Sequence, residues 1–189
     1  MDFAVKRITA GAGSAPNYHL LDPQGNILLV ADQSVAPSAD DRRQVRLARP
    51  DGRLLATIDL PLAGSDVENA DYAVIHDYAV YAIFSVHPPE GEERKLGGPY
   101  FTLEVEGERW AVLPDSEREH CYALYDEVPR GLTPYGSLLD LDLPLAIGEV
   151  CRLDTDVAYT ATLGLTRLQQ PDLVVLTLAY LIDRSQSGP

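Results

Sequence analysis

One short cycle recurs along this chain and limits what it can become: an apolar-rich run, a tight turn built on proline or glycine, and a second apolar-rich run. Tyr18, His19, Leu20 and Leu21 lead into Asp22-Pro23-Gln24-Gly25, and Ile27, Leu28, Leu29 and Val30 leave it. Val45, Arg46, Leu47 and Ala48 lead into Pro50-Asp51-Gly52, followed by residues 54–58. Proline presets φ for the first corner of a turn, and glycine accepts the positive φ that side chains resist. Both units therefore read as β-hairpins.

The cycle continues downstream. Residues 72–76 and 79–86 flank Asp77-Tyr78, and residues 100–105 and 110–113 flank Glu106-Gly107. In the latter, Phe101, Leu103 and Val105 alternate with Thr102, Glu104 and Glu106, the period of a strand with one wet face. Residues 121–125, 138–143 and 159–163 are further strand candidates; Leu139, Leu141 and Leu143 alternate with Asp140 and Asp142. Residues 11–17, 31–44, 61–70 and 86–99 carry the proline, glycine, serine and charge of surface connections.

Residues 173–182 break the rhythm. They read Leu-Val-Val-Leu-Thr-Leu-Ala-Tyr-Leu-Ile after Pro171-Asp172. Proline and an acid are helix-start signals. A helix apolar on every side must be surrounded by protein. The valines suit a buried strand equally well, and pattern alone leaves the two open. At about 1.5 Å per residue this segment is too short to cross a bilayer.

At 189 residues the chain reads as one domain, 1–189, with its core over about 17–183. Its net charge of −14 is spread along the length and disfavours nucleic acid and broad anionic membrane surfaces. Thirteen arginines against two lysines suit a GC-rich bacterial coding bias. No apolar run follows Lys6 and Arg7 as in a leader, and no transmembrane segment is evident, so a cytoplasmic location is expected. Cys121 and Cys151 sit in apolar surroundings and read as buried free thiols, with a single disulfide between them as the alternative.

Signatures of chemistry are mostly missing. Gly11-Ala12-Gly13 lacks the rest of a nucleotide fingerprint, and no nucleophile turn or phosphate loop is present. His19, His76, His87 and His120 are not at metal-ligand spacing, and His120 and Cys121, if on one strand, point to opposite faces. The acidic runs 115–119 and 154–156 read as solvated loops, so neither metal nor cofactor is expected. Arg42, Arg43, Arg46, Arg49 and Arg53 form the one basic cluster, a candidate anion or lipid-headgroup patch. Its plainer reading is an exposed strand face offset by Asp40, Asp41 and Asp51.

The order of the pieces resembles a known group. The run Tyr18 to Asn26, the run Arg49 to Ile58 and the terminal run Asp172 to Asp183 are similar to the tubby C-terminal-like superfamily, nearest its LURP-one-related and phospholipid-scramblase-like members. That resemblance implies a mainly β fold: a closed antiparallel barrel of about twelve strands around a central hydrophobic C-terminal helix. It does not carry over a lipid pocket residue by residue, and the acylated cysteine-rich segment of scramblase-like proteins is missing. The function expected is a non-catalytic binding module for a lipid headgroup, a small ligand or a protein partner. The alternative is an enzyme with an unrecognised site at the barrel mouth. Oligomeric state is not readable from the sequence.

Overall fold

The computed structural model describes residues 1–8, 17–33, 44–60, 71–87, 99–115, 117–126, 145–153, 157–164 and 168–186. The strand candidate at 138–143, the glycines at 11 and 13, the acidic run 154–156, Arg42 and Arg43 lie outside them. Among the described residues twelve strands occur in chain order: β1 (Asp2–Ile8), β2 (Asn17–Leu21), β3 (Ile27–Gln33), β4 (Gln44–Ala48), β5 (Leu54–Asp59), β6 (Asp71–His76), β7 (Ala79–His87), β8 (Tyr100–Val105), β9 (Glu108–Pro114), β10 (Cys121–Tyr125), β11 (Gly148–Arg152) and β12 (Val157–Leu163). One helix, α1 (Pro171–Gln186), follows. Each strand pairs antiparallel with its sequence neighbours, and β12 pairs with β1. The sheet is thus a closed barrel, and closure removes the free edges an open sheet would expose.

The turns form where the local chemistry puts them. Gly25 and Gly52 sit at φ 83° and 85°, and their amides donate to the carbonyls that open the two turns, Asp22 and Arg49. The Asp22 carboxylate also accepts the amides of Gln24 and Asn26. Asp77-Tyr78 and Glu106-Gly107 are two-residue turns with both residues at positive φ, the geometry whose twist matches the flanking strands. All four turns lie at one end of the barrel, here the turn mouth. The opposite end is the far mouth.

Inward residues alternate as a half-wet strand requires: Ala82, Phe84 and Val86 on β7, and Phe101, Leu103 and Val105 on β8, are buried. The chain leaves β12 at the turn mouth, reverses, and sends α1 down the lumen. Every residue from Leu173 to Ile182 is buried, so this stretch of α1 has no wet face. Contacts of α1 and of the residue before it run round the wall: Asp172 to Arg49 after β4, Gln170 to Tyr81 of β7, Asp183 to Tyr18 of β2 and Tyr159 of β12. The helix reading of 173–182 therefore holds, and the observed helix is longer at both ends, 16 residues. At 1.5 Å per residue that is about 24 Å, enough to fill a barrel of five- to nine-residue strands end to end.

The cysteine expectation is corrected. Cys121 and Cys151 are joined in a disulfide. The cause is register: β10 and β11 are neighbours, and the two residues stand directly opposite each other. The flanking Arg152 amide bonds to the His120 carbonyl, which makes Cys121 and Cys151 a non-hydrogen-bonded pair. Side chains approach closest at such pairs, and the Cα atoms are 4.1 Å apart. His120 is not on the strand at all; it turns the chain into β10 at φ 60°.

Candidate functional site

Two polar or exposed constellations stand out, one at each mouth. At the far mouth, Asp183 is 4% exposed and accepts hydrogen bonds from the Tyr18 hydroxyl at 2.5 Å and the Tyr159 hydroxyl at 3.1 Å. The Arg7 guanidinium lies 3.5 Å away. Tyr180, on the preceding turn of α1, packs edge-on against Tyr18, and its hydroxyl accepts from the Arg184 guanidinium. Burial, then the Asp183 carboxylate, pushes the Tyr18 and Tyr159 hydroxyls well above the usual phenol range. These phenols are set to hold their protons rather than transfer them. The cluster ties the end of α1 to β1, β2 and β12, and its polar groups are turned on one another.

The turn mouth is built by a device repeated in three consecutive hairpins. In each, the register slips by one residue just before the turn. Leu20 faces Leu29 but Leu21 faces Ile27; Leu47 faces Ala56 but Ala48 faces Leu54; Val74 faces Ala82 but Ile75 faces Val80. The extra residues are Leu28, Leu55 and Tyr81, and all three pack against the core. A β-bulge re-aims side chains in this way. The residue on the turn side of each slip, Ile27, Leu54 or Val80, is exposed.

Two of them, Leu54 and Val80, lie on one side with Tyr78 and Ile83. Continuing the β5–β6 register by two residues puts Leu54 level with Tyr78. Leu54 is 49% exposed, Val80 58%, Ile83 36% and Tyr78 fully exposed. Beside them, between β7, β8 and residue 169, lies a groove of about 350 Å³ lined by Tyr81, Ile83, Glu104, Glu106 and Gln169 among others. Glu106 accepts the Gln169 amide, and the Tyr81 hydroxyl accepts the Gln170 amide, so the groove floor is pinned to the start of α1.

Tyr78 is the strained residue here. Its φ of 63° is a left-handed conformation that costs an L-residue roughly 1–2 kcal/mol. The sister turn Glu106-Gly107 holds glycine at the same place, φ 82°. Tyr78 buries none of its ring to offset that cost.

The arginine cluster read from the sequence is distributed along the β4–β5 hairpin. Arg46 points outward beside Asp32 and Thr57 in register. Arg49 is ion-paired with Asp172 at 3.5 Å, where it meets the first turn of α1. Arg53 is exposed after the turn, and its amide bonds to Asp51. Arg42 and Arg43 fall outside the described residues. Among the described residues no group of three or more histidine, cysteine, aspartate or glutamate side chains could hold a metal ion.

The sequence reading missed both constellations. Asp183 and its tyrosine partners are far apart in the chain, so only the fold joins them. The exposed patch had one local signal: Asp77-Tyr78 stands where a two-residue hairpin turn favours a glycine second. Compared with known proteins, the chain matches no family model, no curated protein and no solved structure.

Proposed function

We propose that this chain is a non-catalytic binding module that engages its ligand on the outside of the turn mouth. The observation that carries the reading is the filled lumen. A barrel this wide has room for a ligand, and here α1 takes that room with eleven consecutive buried residues. The converging polar groups inside, around Asp183, are committed to one another. Among the described residues, the turn mouth presents to solvent an apolar patch with a groove beside it, which is where binding sites of modest size are found. Kinship with the tubby-like group is part of the proposal, and the support for it is architectural: a closed twelve-strand barrel around a C-terminal helix.

Among the described residues no helix is long and apolar enough to cross a membrane. The compartment is pulled two ways. The sequence reads as cytoplasmic, whereas a persistent disulfide belongs to oxidising surroundings. Counting free thiols in protein taken directly from its source cells under acid quench decides between them.

The test of the module reading is native mass spectrometry of freshly purified protein. A retained ligand that is released chemically unchanged after prolonged incubation supports it. Conversion of that ligand into a product overturns it in favour of an enzyme.

A further inference from the structure

We infer that the patch formed by Leu54, Tyr78, Val80 and Ile83 is a docking surface for a cationic polypeptide segment that carries apolar side chains, with Tyr78 as its anchor. The inference rests on the binding-module reading and names the partner class.

Three observations lead to a polypeptide of that kind. The first is Tyr78 itself. Its backbone is held where glycine is favoured, as Gly107 shows in the equivalent turn of the same barrel, and its ring is left wholly in solvent. The fold gains nothing from that side chain. Exposed aromatics that enter a partner's pocket are the typical anchors of interfaces, and backbone strain gathers at such places.

The second is shape. From Val80 to Ile83 is three residues of strand, and Leu54 lies level with Tyr78 beyond the turn. At about 3.3 Å per residue along a strand and about 4.8 Å between strands, the patch spans roughly 15 Å. That matches four or five residues of extended chain and exceeds most small ligands. The barrel is closed, so among the described residues no free strand edge is available, and the contact is made by side chains.

The third is charge. The patch is bordered by Asp51, Asp77, Glu104, Glu106 and Glu108, all exposed, against Arg53 and Arg109. Arg109 stands opposite Glu104 in the β8–β9 register. The whole chain carries −14. Such a border attracts lysine and arginine and repels phosphate, so an anionic lipid surface is the wrong partner for this face.

The experiment uses the full chain labelled with ¹⁵N and a capped peptide, Lys-Val-Lys-Phe-Lys-Leu-Lys, with its glutamate twin as control. The expected result is amide shifts confined to the turns and strands around Leu54, Tyr78, Val80 and Ile83, with none from the glutamate peptide. Tyr78→Phe should bind within about two-fold of the native chain. Tyr78→Gly should raise the dissociation constant at least ten-fold while its melting temperature rises by about 2–4 °C, because glycine relieves the turn. A weaker binder that is more stable cannot be explained by damage to the fold. Shifts spread evenly over the acidic surface, equal binding of the glutamate peptide, or unchanged binding by Tyr78→Gly overturns the inference. So does concentration-dependent dimerisation mapping to these residues, which would make the occupant a second copy, or co-flotation with neutral phosphatidylcholine vesicles, which would make it a membrane. If the peptide fails while an unchanged ligand is still retained in native mass spectrometry, this inference falls and the module reading stands. If the retained ligand is converted, the module reading falls and the shift map alone judges the patch.

Discussion

Replacing Asp183 with alanine should be among the most damaging single substitutions in this protein. The carboxylate is 4% exposed and is the acceptor for two buried hydroxyls, Tyr18 at 2.5 Å and Tyr159 at 3.1 Å. A buried donor left without an acceptor costs about 1–3 kcal/mol, so the pair costs roughly 2–6 kcal/mol. Arg7 adds little, because its side chain is 38% exposed and water can replace the carboxylate. A domain's net stability is only about 5–15 kcal/mol, so the loss is a large share of the whole. Asp183→Asn keeps one carbonyl oxygen and should lose less. Tyr18→Phe and Tyr159→Phe each remove one donor, and combining either with Asp183→Asn should be less than additive, since both changes break the same contact. The assay is urea unfolding at neutral pH with the slope fitted freely. If Asp183→Ala unfolds within about 0.5 kcal/mol of the native chain at an unchanged slope, the buried network is not what fixes the end of α1, and the reasoning fails.

Three further outcomes follow from the same packing. The Tyr18 and Tyr159 hydroxyls have folded pKa values raised above the ordinary phenol value of about 10, first by burial and then by Asp183. The folded state therefore keeps protons that the unfolded state gives up, so the contribution of these two hydroxyls to stability should be constant below about pH 10 and be lost as pH rises above it; the Tyr18→Phe/Tyr159→Phe double variant should show a shallower alkaline fall in urea titrations, and an equal fall refutes the assignment. A chain ending at Gln170 loses Leu173, Val174, Val175, Leu176, Leu178, Leu181 and Ile182, all at most 2% exposed, a gross loss on the order of 10–20 kcal/mol; it should aggregate or show no cooperative melting, and a soluble monomer melting near the native temperature would show that α1 is not core. Reducing Cys121–Cys151, which are 30 residues apart in sequence, should lower stability by about 3–4 kcal/mol; urea midpoints with and without reductant measure it, and two freely titrating thiols in the untreated protein would show that the bond is not there to reduce.

The local parts of this fold were legible in the sequence. Asp22-Pro23-Gln24-Gly25 and Pro50-Asp51-Gly52 fix their turns with residues that touch one another, and Phe101, Leu103 and Val105 show their buried face by period alone. Other parts were not. β1 and β11 escaped because Asp2–Ile8 mixes charge into its alternation and Gly148–Arg152 holds only two apolar residues, Val150 and Cys151, side by side rather than alternating. The segment from 173 to 182 was ambiguous because burial on all sides erases the period that separates helix from strand, and only an enclosing barrel explains both the burial and the helix. Cys121 and Cys151 became a bonded pair through the register of β10 against β11, a property of two strands and not of either one. The same holds for the sites. Asp183 meets Tyr18 across 165 residues of chain, and three one-residue slips send Leu28, Leu55 and Tyr81 inward while leaving Ile27, Leu54 and Val80 in water. Sequence determines turns and periods because those are interactions between near neighbours; which strands lie side by side, and in what register, is set by closing the barrel around its helix.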